Sequence, residues 1–125
     1  MTIAFWCVLV AAVMPVALAL TSKLGDKTFN NRSPRAWYDT LSGYRQRAAW
    51  AQANSHEIFP VFAAAVIIAH ITGGAEQSLI DLYAMVFIAS RFAFAGFYLA
   101  DRHLARSLAW TLGVLCIIGL FVSAA

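Results

Sequence analysis

Residues 3–21 read IAFWCVLVAAVMPVALALT, nineteen positions without one charged side chain. At about 1.5 Å per helical residue the stretch covers roughly 28 Å, close to the roughly 30 Å of a bilayer's hydrocarbon core. A signal peptide is the competing reading, with Ala17-Leu18-Ala19 resembling a cleavage site. That reading calls for a basic start and a shorter apolar core. No Lys or Arg precedes the run, so a retained transmembrane helix is expected. Pro15 should bend this helix without ending the crossing, because neighbouring helices can satisfy the carbonyl that a proline leaves without a donor.

Working outward, three more apolar runs follow, at about 48–72, 77–99 and 104–122. Gly73-Gly74 marks the end of the second run, and Pro60 inside it predicts a local bend. The longest connection spans residues 22–44. Its Asn30-Asn31-Arg32-Ser33-Pro34 segment is turn chemistry, after which a helix resumes and enters the membrane near Trp50. The composition agrees: 62% of the 125 residues are hydrophobic and 12% charged, against roughly 25% charged in ordinary soluble domains. A soluble chain this short has too much surface to cover with so few polar groups. The predicted fold is therefore all-α, a polytopic four-transmembrane-helix bundle forming one domain over residues 1–125, without internal repeats.

The formal net charge of +3 could suggest a nucleic-acid partner, but the placement of the cations argues otherwise. They cluster from Lys23 to Arg47 and again at Arg102 and Arg106, flanking the apolar runs, with Arg91 alone inside one. The connection between the second and third runs instead carries Glu76, with Asp81 just beyond it. This asymmetry follows the positive-inside rule and predicts cytoplasmic first and third loops with both termini outside. Membrane lipids, not nucleic acid, are the expected surroundings. Cys7 and Cys116 lie in apolar stretches and read as buried, inert thiols, and no ligand cluster suggests a metal.

Polar groups inside the runs carry the functional signal, since an ionisable group in a span costs roughly 2.5–3.5 kcal/mol on insertion scales. Asn54 and Glu57 stand in the second run, Arg91 and Tyr98 in the third. Residues 47, 50, 54, 57 and 61 share one helical stripe, so Arg47, Trp50, Asn54 and Glu57 point the same way. Arg91 lies about 12 Å below the boundary near Leu99 and Glu57 at roughly half that depth. A Glu57–Arg91 ion pair that fixes helix register is therefore expected. Tyr98 sits two turns beyond Arg91, and Arg106 opens the fourth run, where spacing alone makes it a topology anchor. Together, Arg47, Asn54, Glu57, Arg91, Tyr98 and Arg106 form a layer suited to a small anionic, peptide-like ligand. His56 lies off the Glu57 stripe, His103 falls in a loop, and His70 is expected to meet water at the outer end. Phe92, Phe94 and Phe97 read as packing against lipid or neighbours. Ala63-Ala64-Ala65, Ala93, Ala95 and Gly96 would allow close helix contact.

These residues resemble the family of membrane-associated proteins in eicosanoid and glutathione metabolism, the MAPEG family. The resemblance covers nearly the whole chain. Ala51-Gln52-Ala53-Asn54-Ser55-His56-Glu57-Ile58-Phe59-Pro60-Val61-Phe62 is similar to its Asn-x-x-Glu segment followed by Pro-x-Phe, and Arg91 to Tyr98 with Arg106-Ser107-Leu108-Ala109-Trp110 resembles its third and fourth helices. The resemblance implies a homotrimer with glutathione bound between subunits on the cytoplasmic side, as co-substrate and not as a tightly held cofactor. It places Gln52, Asn54, Glu57, Arg91 and Tyr98 in the ligand layer, with Arg47 nearby on the same stripe. It gives Arg106 the catalytic task of stabilising the glutathione thiolate. The chain departs from the pattern at Trp50, where active members carry arginine, and at Ile58, where a tyrosine is common. With Asn31-Arg32-Ser33-Pro34-Arg35 it is most similar to a branch of small bacterial inner-membrane members. Two functions follow: a glutathione-dependent transferase or peroxidase acting on lipophilic electrophiles, or a noncatalytic protein that binds a lipid or serves a larger membrane complex.

Overall fold

The computed structural model describes residues 1–125. Five helices follow one another: α1 (Ile3–Lys23), α2 (Pro34–Tyr38), α3 (Gly43–Thr72), α4 (Gln77–Leu99) and α5 (His103–Ala124). All except the short α2 are long and apolar enough to cross a membrane, as the sequence predicts. With 30 residues, α3 reaches about 45 Å, so its first turns extend beyond the hydrocarbon. Thr2 caps α1, its hydroxyl accepting from the Phe5 amide at 3.4 Å. Gly73 ends α3 in the left-handed region at φ 67°, where a residue without Cβ fits best. Pro15 and Pro60 lie inside continuous helices.

In the bundle α3 and α4 each pack against all three other long helices, while α1 and α5 take opposite flanks. The larger apolar cluster gathers Ala4, Cys7 and Ala11 of α1 with Phe62, Val66 and Ala69 of α3, Ile80, Ala84 and Phe87 of α4, and Cys116, Ile117 and Leu120 of α5. At its centre the Phe62 and Phe87 rings stack at 3.8 Å. A smaller cluster of Met14, Leu18, Ala51, Phe94 and Ala109 lies toward the loop-one end. Ser55, Ser90 and Arg91 are the buried polar residues of α3 and α4 near these clusters. Both cysteines are free and buried, as expected.

Close helix approach comes from α5 more than from the α4 residues the sequence points to. A Cβ at Gly119 would come within 2.6 Å of the Tyr83 ring, and one at Gly113 within 2.9 Å of Ser90 Oγ, whereas Gly96 has no neighbour within 4 Å. Of the aromatic run, Phe94 packs against its neighbours in the smaller cluster, while Phe92 is exposed on the outer face.

At the end where α1 begins, polar groups are paired across helices. Asp81 Oδ1 accepts from the Ala4 amide at 2.8 Å and from Gln77 Nε2 at 2.9 Å, so a carboxylate from α4 completes the α1 N-terminus. His70 is not simply hydrated. Its Nε2 meets the Thr2 hydroxyl at 3.0 Å, its Nδ1 the Val66 carbonyl at 2.7 Å, and its ring stacks on Phe5 at 4.2 Å. The reason is that α1 packs along α3 for its whole length and covers this last turn.

The long connection is folded, not slack. Asn30 accepts from the Arg32 amide through its side chain, Pro34 starts α2, and buried Trp37 donates to the Thr28 hydroxyl at 3.1 Å. Asp26 accepts from both the Thr28 hydroxyl and amide and faces Arg45 at 3.9 Å. The Thr28 hydrogen bonds first, and the Arg45 charge after them, hold the Asp26 carboxyl below its ordinary value. Arg45 also donates to the Ser22 carbonyl at 2.7 Å, while Ser22 Oγ donates to the Arg45 carbonyl, which ties the end of α1 to the start of α3.

Candidate functional site

Arg91, two turns from the end of α4, is only 2% exposed. Its Nη2 donates to Asn54 Oδ1 at 2.9 Å and to Ser55 Oγ at 3.2 Å, and its guanidinium lies 4.1 Å from the Phe94 ring centre. The expected ion pair with Glu57 is not formed. Within 4 Å the one acid–base pair in the chain is Arg45–Asp26. Arg91 turns inward beneath α3, whereas Glu57 is on the exposed side of that helix. Asn54 stands between the two: it takes the Arg91 bond on its carbonyl oxygen and offers Nδ2 to Glu57 Oε2 at 3.5 Å. Arg91 thus fixes which way the Asn54 amide faces.

Around Asn54 runs an open groove in three connected parts. One, of about 490 Å³, is lined by Trp50, Ala53, Asn54, Glu57 and Tyr98. The next, of about 450 Å³, shares Asn54 and Tyr98 and adds Phe94, Arg106, Ser107, Trp110 and Thr111. The third, also about 450 Å³, continues between α3 and α5 from Asn54 and Glu57 along Ile58, Val61, Trp110, Val114 and Ile118 and is almost wholly apolar. The groove therefore has a polar head and an apolar tail.

Tyr98 is the hinge of the polar head. Its ring meets Phe94 edge-on at 5.4 Å and Trp50 at 6.4 Å, and the Arg106 guanidinium sits 4.4 Å over it. Such a cation–π contact is worth about 0.5–2 kcal/mol and holds the guanidinium in place without neutralising it. No carboxylate lies within 4 Å of Arg106 or Arg47, nor any cation within 4 Å of Glu57. The head thus presents one unpaired cation and one unpaired anion.

Two other sequence candidates lie apart. Arg47 donates through Nε and Nη2 to the Leu99 carbonyl at 3.2 and 3.1 Å, capping the end of α4. Gln52 accepts from the Tyr38 hydroxyl at 3.0 Å and lines a pocket of about 500 Å³ between α2 and α3, with Asp39 and His56, that adjoins the groove at Trp50 and Ala53. Ser55, Ser107, Trp110 and Thr111 complete the site without having been singled out by their chemistry. Their signal was helical spacing: Trp110 and Thr111 follow Arg106 and Ser107 by one turn each, and Ser55 adjoins Asn54.

The model of the MAPEG family matches residues 3–125. The chain belongs to the MAPEG family. A comparison with curated proteins finds no significant match. Family membership agrees with the four apolar helices in making this a multi-pass membrane protein. Asn54, Glu57, Tyr98 and Arg106 line one connected groove.

Proposed function

We propose that this MAPEG member binds glutathione in the polar head of the groove and activates its thiol toward lipophilic electrophiles held in the apolar tail. The observation that carries the reading is the unpaired Arg106 guanidinium, fixed over Tyr98 at the rim of a groove that Glu57 also lines. Glutathione offers an amine, two carboxylates and a thiol, so a free anion and a free cation in one groove match it in charge. A guanidinium beside the thiol favours the thiolate, which is the nucleophile. The apolar tail along Val61, Val114 and Ile118 suits a lipophilic second substrate.

The same reading includes a homotrimer in a bacterial inner membrane, with the groove on the cytoplasmic side and both termini outside. The loop charges support the orientation. Glu57 and His56 support assembly, because both are exposed on α3 and an ionisable group is expensive against lipid. A neighbouring subunit would cover them. One observation favours the noncatalytic alternative, lipid binding or service in a larger complex: the Trp50 ring stands beside Tyr98 where active relatives carry a further cation.

The test is the ultraviolet thiolate absorbance of glutathione added to the purified protein at neutral pH. A thiol pKa lowered by one unit corresponds to about 1.4 kcal/mol, within reach of one guanidinium. The wild type should show the band, Arg106→Ala should lose it together with conjugation of a generic electrophile, and Trp50→Arg should strengthen it. Absence of the band in wild type at millimolar glutathione rejects the enzyme and leaves the noncatalytic reading.

A further inference from the structure

Arg91 leaves one buried donor unused: Nη1 has no hydrogen-bond partner, although the side chain is 98% hidden and Nη2 is doubly bonded. A buried N–H of a charged group without a partner costs more than the 1–3 kcal/mol of an ordinary one, so such groups are normally satisfied. Beside Arg91 is a small, partly enclosed void with about 10 Å³ of room, lined mainly by the apolar Ala11, Met14, Ile58, Phe59 and Phe87, with Ser55. One water needs about 10–15 Å³ of such space and two to four polar partners.

The partners are supplied by the sequence. Pro15 has no N–H, so the Ala11 carbonyl, four residues earlier, loses its helical donor. Ser55 Oγ donates to the Ala51 carbonyl and accepts from Arg91, which leaves one lone pair. A donor and two acceptors thus belong to residues around a space the size of one molecule. A bare halide is larger than water and would leave the Ala11 carbonyl facing an anion.

We propose that a single buried water occupies this void, accepting from Arg91 Nη1 and donating to the Ala11 carbonyl and Ser55 Oγ. It joins α1, α3 and α4 beside Pro15 and satisfies the last donor of Arg91. Arg91 is then a positioning residue, wholly engaged on its own side of Asn54, and the inference stands independently of glutathione binding.

Crystals of the full chain grown from lipid in sodium bromide test this directly. The expected result is density in the void within hydrogen-bond distance of Nη1 and the Ala11 carbonyl, with no anomalous bromide signal. A bromide peak, or an empty void at a resolution that shows other buried waters, overturns the proposal. Ala11→Ser offers a second measurement, since its hydroxyl can take the water's place. Its thermal midpoint should equal or exceed that of Ala12→Ser, the same change at an exposed neighbour on α1. A midpoint clearly below that control overturns the water site, as it would mean the void rejects a polar group.

Discussion

The two ends of the bundle treat their polar residues in opposite ways. Where α1 begins, Asp81 and His70 bond across helices to the Ala4 amide and the Thr2 hydroxyl, with Gln77 supporting Asp81 within α4. At the other end Glu57 and Arg106 carry opposite charges, have no ionic partner within 4 Å, and line one connected groove. In a bilayer a polar side chain is expensive wherever it sits, so a paired one is explained by structure. An unpaired one at a cavity needs a ligand or a second subunit. The contrast separates residues that build the fold from residues that use it, and it can be broken at either end.

The largest effect belongs to the core that joins the two ends. Phe62→Ala removes half of the Phe62–Phe87 stack at the core and should destabilise the bundle by about 3–5 kcal/mol, toward the lower figure because lipid receives the freed surface. Unfolding in mixed micelles measures it, and a change below about 1 kcal/mol would mean that the core is not packed as described. Asp81→Ala should cost less, about 1–2 kcal/mol, the usual range for a lost helix cap. Hydrogen exchange should then show the first turn of α1 fraying, with the groove untouched.

At the open end the expectation reverses. Glu57→Gln leaves the thermal midpoint of the free protein where it was, because the carboxylate has no ionic partner to lose. The same change should weaken glutathione at least tenfold by calorimetry. A large drop in midpoint with unchanged binding would move Glu57 to the structural side of the comparison.

The smallest effect lies in the long loop. Asp26 has its folded pKa depressed by Thr28 and then Arg45, so its contribution is present above the ordinary aspartate value of about 4 and fades as pH falls through the lower folded value. Exchange of the Thr28 amide, corrected for intrinsic rates, should keep its protection at pH 6 and lose part of it below about pH 4. Protection that rises on acidification would contradict the assignment.

How much of this was legible in the sequence differs between the two ends. Span positions, the Gly73 stop and the turn at Asn30 to Pro34 were readable because hydropathy and backbone chemistry are local. The sequence marks Glu57 and Arg91 as costly positions but suggests a pairing that the structure does not form. Depth along two helices can be counted from sequence, but rotation about each axis cannot, and rotation turns Arg91 toward Asn54 and Ser55 while Glu57 faces out. The partners of His70 are hidden for a similar reason, since nothing local reveals that Phe5 and Thr2 of α1 pack on it. Arg47 shares a stripe with Asn54, but the sequence does not show that the α4 terminus at Leu99 comes within its reach.

On the function proposed above, the unpaired Arg106 beside Tyr98 makes the open end a glutathione site. Thermal unfolding of the purified wild type and of Arg106→Ala, each with and without glutathione, tests it most directly, because binding to the folded state alone stabilises by mass action. At a glutathione concentration one hundred times Kd the wild type should gain about 2.7 kcal/mol, seen as a midpoint rising with concentration. Arg106→Ala should unfold at the ligand-free wild-type midpoint and show little or no rise. A wild-type midpoint indifferent to millimolar glutathione, or an equal rise in both proteins, would contradict the account.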